Sequence, residues 1–210
     1  MVIRTSKLLV IATVVILAAG YAWSTRFGKL DRVEASILAA ESLPTANDSK
    51  KARAAFNDAV KVFFSARCAN CHPGGNTPLQ GNDSRVHDND IVRGPDGKGS
   101  DPLFCAVCHQ DKNTDGEGMP PGAPDWRMPP ADNKMVFTGV TPAQLCSQLK
   151  DPLRNGGRKT PKDAIKHIET DPRVHWAWAP GNGRTVPPMP FDEFVKKMNE
   201  WAVNGGACPE

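Results

Sequence analysis

Two pentapeptides, Cys68-Ala69-Asn70-Cys71-His72 and Cys105-Ala106-Val107-Cys108-His109, hold most of the reactive side chains of this 210-residue sequence. In each, two thiols sit three residues apart, about one helical turn, and an imidazole follows the second. Thiols so spaced can add across the two vinyl groups of a haem, and the adjacent histidine then lies beneath the ring as an axial iron ligand. Other uses of paired cysteines fit less well. A zinc ribbon sets its pairs about 15–20 residues apart, whereas 33 residues separate Cys71 from Cys105. A thioredoxin-type pair sits near a βαβ pattern, and here a helical pattern leads into Cys68. Disulfides within the pairs are the remaining alternative. The expectation is two covalently bound c-type haems on Cys68, Cys71, Cys105 and Cys108, with His72 and His109 as iron ligands.

An iron that only carries electrons needs a second axial group. The remaining donors are His87, His167, His175 and the methionines. Three methionines stand in proline-rich strings: Met119-Pro120-Pro121, Met128-Pro129-Pro130 and Pro188-Met189-Pro190. Proline fixes φ and can aim a thioether without a supporting helix, and methionine opposite histidine raises the potential. Met119, ten residues after His109 in a Gly-flanked loop, is the leading choice, followed by Met128 and Met189. His87, fifteen residues after His72, is the second expected ligand, assigned to the first haem. Each has a plainer alternative: a methionine filling a core gap, or a solvated loop histidine. His167 falls mid-helix. His175 stands beside Trp176 and Trp178, which are expected to pack on a haem face or in the core.

The elements that must position these residues are mostly helical. Leu30, Val33, Ile37 and Leu38 predict a short helix over about 30–41, stopped before Pro44. Asn47, Asp48 and Ser49 offer caps for a second helix with Phe56, Val60, Phe63 and Phe64 on one face. From about His72 to Val140 there is little periodicity. So long a loop is reasonable in a compact domain only if it wraps around something. Thr141-Pro142-Ala143-Gln144 and Thr160-Pro161-Lys162-Asp163 each read as a capping threonine, a proline at the first helical position and a partner three residues on. Phe191, Phe194, Val195, Met198, Trp201 and Ala202 define a last amphipathic helix that ends at Gly205-Gly206. No convincing alternating strand is present.

Arg4 and Lys7 precede an apolar run from Leu8 to Trp23, which reads as an export signal. It is short for a span of ~20 residues, but Tyr21 and Trp23 are interfacial types that can anchor it. The expectation is an uncleaved anchor over 1–23, a linker with a short helix over 24–47 and a haem domain over 48–210. If the signal is cleaved, the product is a soluble secreted form. On either reading the remainder is periplasmic and anchored, if at all, to the inner membrane. In that oxidising compartment the two cysteines left over, Cys146 and Cys208, are expected to form a disulfide.

Composition agrees with a loop-rich chain and sets limits on partners. Gly and Pro make up 37 of 210 residues, below the roughly 25–30% that marks low-complexity disorder. With five Trp, one Tyr and eight Phe, the core is thin and suits a large apolar cofactor. A net charge of +3 excludes a basic nucleic-acid platform, which needs clustered excess charge. There is no glycine-rich phosphate cradle.

The segment from Cys68 to Glu210 resembles bacterial c-type cytochromes, specifically a family of exported dihaem proteins labelled isoquinoline 1-oxidoreductase subunit. The strings that carry the likeness are ARCANCHPGGNTPLQGNDS, RGPDGKG, CAVCHQDKN, MPPGAPDW, PADNKMVFTG, LCSQLKDPLRNGGR and WAVNGGACP. The resemblance implies an electron-transfer protein serving a donor dehydrogenase, such as a molybdenum hydroxylase, and a downstream acceptor. The chain has no spare cysteine set for iron–sulfur clusters of its own. The expected fold is mainly α, with cytochrome-c-like helices and long Pro/Gly-rich loops wrapped around two covalent haems and little or no sheet. The expected function is single-electron transfer rather than catalysis. The alternative is a dihaem enzyme with one open iron, resembling a cytochrome c peroxidase.

Overall fold

Three helices begin where a threonine side chain and its partner three residues on close a reciprocal pair of hydrogen bonds. The computed structural model describes residues 43–210. In helix α1 (Ala46–Phe63), Thr45 Oγ1 accepts from the Asp48 amide at 3.2 Å, and the Thr45 amide donates to Asp48 at 3.1 Å. The same device opens α3 (Pro142–Leu149) with Thr141 and Gln144, and α4 (Pro161–Thr170) with Thr160 and Asp163. Each satisfies amides that a helix start leaves without intrahelical partners. Between α1 and α3 lies α2 (Ala66–Ala69), a single turn. A short α5 (Pro172–Trp176) follows α4 directly, capped by Asp171, and α6 (Phe191–Val203) closes the chain.

Residues Pro44–Glu210 form one compact unit. Its centre is the packing of α1 on α6: Phe56 meets Trp201 at 5.4 Å between ring centroids, and Phe63 meets Phe194 edge-on at 5.2 Å. Ala52, Ala55 and Ala59 are fully buried on α1. Small side chains there let the two helices approach closely enough for the rings to interlock. Cys146 of α3 is bonded to Cys208 beyond α6, with Cα atoms 5.5 Å apart.

Two details differ from the sequence reading. α1 begins at Ala46 under Thr45 rather than at Asn47–Ser49, and Phe64 is exposed at its C-cap while Ala52, Ala55 and Val62 join the buried face. The aperiodic stretch also contains two small antiparallel hairpins. One pairs β1 (Leu79–Gln80) with β2 (Arg85–Val86), and the other pairs β3 (Gly99–Ser100) with β4 (Leu103–Phe104). Two-residue strands are too short to show alternation. The described residues are mainly helical, with little sheet. The apolar run at 8–23 and the helix expected at 30–41 lie outside the described residues. Among the described residues no helix is long and apolar enough to cross a membrane.

Candidate functional site

Both pentapeptides fold as a single helical turn. Cys68 and Ala69 end α2, and the turn continues as the Cys71 amide donates to Cys68 O at 3.2 Å and the His72 amide to Ala69 O at 3.1 Å. The second motif forms a 3₁₀ turn (Cys105–Val107), with the amides of Cys108 and His109 both donating to Cys105 O. The hairpin β3–β4 feeds straight into it. A turn at this spacing brings two thiols to one side and hands the next residue to the groove they border.

The histidines share one arrangement. His72 Nδ1 lies 2.7 Å from the Met135 carbonyl, and His109 Nδ1 lies 2.6 Å from the Pro121 carbonyl. A carbonyl only accepts, so in both rings Nδ1 carries the proton and Nε2 keeps its lone pair. Burial holds both imidazoles below their ordinary range, His72 down to about 4, so both are neutral near pH 7. A neutral ring with its far nitrogen fixed by a carbonyl is the form in which histidine binds a metal. Each ring is also packed by an aromatic partner. Phe137 stacks on His72 at 4.0 Å, and Trp126 stacks on His109 at 4.9 Å.

The thiols are unbonded to one another. Burial pushes Cys68 up to about 12 and Cys71 up to about 11, and it raises Cys105 as well. A reactive pair in the absence of a metal needs the opposite, a thiol lowered toward the thiolate. Among the described residues no three His, Cys, Asp or Glu side chains gather into a ready-made metal site.

Cys68, Cys71 and His72 open onto a cavity of about 460 Å³, within the range of roughly 300–1,000 Å³ usual for cofactor sites. Its walls are largely apolar, with Phe63 and Phe194 from the core, Ile168 from α4 and Trp178 beyond α5. Arg67, Arg127, Arg158 and Arg173 also line it, against Asp96 and Asp171. Arg173 is spent on Asp171 at 2.6 Å and Arg127 on Asp125 at 3.0 Å. The other two are not committed to carboxylates. Arg67 donates to Gly81 O and Asn82 Oδ1, and Arg158 to Asn155 O and the Met135 sulfur. Arg67 is 7% exposed, and its buried Nε has no partner. An apolar slot with two uncommitted guanidinium groups fits a haem, whose face is apolar and whose edge carries two carboxylates.

At the second motif Trp126 covers the His109 ring, while the apolar side chains within the motif face outward. Phe104, just before Cys105, and Val107, just before Cys108, are 48% and 61% exposed. Here the residues present an open shelf rather than a closed slot.

The expected sixth ligands are dispersed. Met128 is buried and lines the first cavity, its amide bonded to Gly97 O at 2.9 Å. His167 lines the same cavity, held neutral by burial at about 4, with Nδ1 3.4 Å from Asp171. Met119 is 42% exposed and lies outside that cavity, and its carbonyl accepts from Arg184. The Met189 carbonyl accepts from Trp178, and His175 Nε2 is occupied by the Glu169 carbonyl at 2.7 Å. His87 is not among the residues lining the first motif's cavity. Its ring lies 6.1 Å from that of His109. Sequence reading missed Arg67, Arg158, Trp126 and Phe137. Only Arg67, directly before Cys68, carried a signal in its position.

Comparison with protein-family models, curated proteins and solved structures finds no match.

Proposed function

We propose that the chain is a periplasmic dihaem c-type cytochrome that passes single electrons from a donor dehydrogenase to a downstream acceptor. The supporting observation is the repeated build of the two motifs. Each places two thiols on one turn and a neutral histidine beside them, with Nδ1 tied to a carbonyl and Nε2 free. When bound, the haems supply one-electron exchange between ferric and ferrous iron. The chain's part is to fix the two imidazoles in one tautomer, to keep water from the first slot with Phe63, Phe194 and Trp178, and to offset carboxylate charge with Arg67 and Arg158. These are the factors by which a protein sets potential.

The donor suggested by the resemblance is a molybdenum hydroxylase, with residues 8–23 as the membrane tether. The test is spectroscopic. A carrier shows two haems that are reduced and reoxidised by one-electron dyes and bind neither carbon monoxide nor peroxide. Stoichiometric peroxide binding with turnover would replace the carrier reading by the peroxidase-like one. A chain without covalent haem would overturn both.

A further inference from the structure

We propose that His87 is the sixth iron ligand at the second motif, opposite His109, so that this haem is a bis-histidine centre; this rests on the dihaem reading above. The ring centroids of His87 and His109 are 6.1 Å apart, with planes at 65°. Two metal–imidazole bonds of about 2.0–2.1 Å, plus the half-widths of both rings, put opposed imidazole centroids roughly 6 Å apart. The observed gap is therefore wide enough for one coordinated metal.

The hydrogen bonds point the same way. His87 Nδ1 lies 2.7 Å from the Asp88 carbonyl, just as His109 Nδ1 lies 2.6 Å from that of Pro121. Both rings thus carry their proton on Nδ1 and leave Nε2 as the donor atom. His87 is also held in place by backbone. It follows β2, its amide donates to Pro78 O at 3.0 Å, and the neighbouring Asp88 carboxylate accepts from Gln80 at 2.6 Å.

Met119, the rival for the same iron, is 42% exposed. It lies two residues before Pro121, whose carbonyl sits behind His109 at Nδ1, away from the free Nε2. Arg184 holds the Met119 carbonyl in that segment. Methionine opposite histidine raises the potential, so with His87 in that place the second haem has the lower potential of a histidine pair.

The test uses the full-length holoprotein. Near-infrared magnetic circular dichroism and electron paramagnetic resonance of the oxidised wild type should show at least one bis-histidine low-spin haem. His87→Ala should retain two covalent haems but convert one to a form that binds one equivalent of carbon monoxide per chain when reduced, and added imidazole should restore the low-spin spectrum. His87→Met should introduce an iron–sulfur charge-transfer band and raise one potential. Met119→Ala should leave both haems low-spin. The assignment is overturned if the wild type shows no bis-histidine signature, which needs no variant to fold. It is equally overturned if His87→Ala leaves both haems low-spin, or if Met119→Ala opens the site instead. Absence of covalent haem from the wild type would overturn the dihaem reading itself, a distinct result.

Discussion

Trp126 lies flat against the imidazole of His109, with ring centroids 4.9 Å apart and planes 12° from parallel. Trp176 meets Trp126 edge-on at 4.9 Å and donates its indole hydrogen to Asn113 Oδ1 at 2.9 Å, and the Arg67 guanidinium lies 5.8 Å over the Trp176 ring. A continuous stack thus runs from the second motif's histidine to the residue before Cys68. Aromatic pairs of this kind contribute about 0.5–1.5 kcal/mol each beyond the area they bury.

Replacing Trp126 by Ala should therefore release the His109 ring as well as cost stability. The expected outcome is a lower unfolding midpoint and a changed spectrum at one haem only. Trp176→Phe keeps an edge-on ring but loses the Asn113 hydrogen bond, about 1 kcal/mol. It should lower the midpoint while leaving both spectra in place. A Trp126→Ala protein with unchanged midpoint and spectra would show that the stack positions nothing.

Arg67 is buried, carries an unpartnered Nε and borders the first cavity. Its positive charge favours the reduced, less positive state of a cofactor held there. Arg67→Gln should lower the potential of one haem, by ~59 mV if the charge is worth tenfold in the equilibrium constant. Redox titration of the variant measures this directly. A rise in potential, or equal shifts at both haems, would contradict the placement.

The Cys146–Cys208 bridge staples the tail after α6 to α3 across a separation of 62 residues. The tail is held independently by Lys150 Nζ to Gly206 O at 3.0 Å and Trp201 Nε1 to Ala207 O at 3.2 Å. Cys146→Ser with Cys208→Ser should therefore destabilise by about 2–4 kcal/mol without changing haem content. Denaturant unfolding of the double variant measures the loss. Free thiol at either position in the unreduced, unfolded wild type would show that the bridge is absent.

What the sequence made legible was local. Thr141 with Gln144 and Thr160 with Asp163 are complete capping devices within four residues, so their helices could be read off directly. At the start of α1 the sequence offers Asn47, Asp48 and Ser49 as caps, and the choice of Thr45 depends on Asp48 reaching back to it. The hairpin β1–β2 escaped notice because two paired residues leave no period. After that hairpin the His87 ring lies 6.1 Å from that of His109, twenty-two residues after it. Sequence distance alone pairs His87 with His72, whereas the loop's path is set by long-range hydrogen bonds, such as Asn82 Oδ1 receiving from both Arg67 and Thr185. The same holds for the cavity: Arg67, Arg158 and Trp178 line one slot from three separate segments.

The most direct measurement is the intact mass of the chain made in cells that carry the c-type haem attachment machinery, taken under denaturing conditions for the wild type, for Cys68→Ala with Cys71→Ala, and for Cys105→Ala with Cys108→Ala. The expected result is two covalent haems on the wild type and one on each variant. An apo mass for the wild type, or an unchanged haem count when either pair is removed, would contradict it.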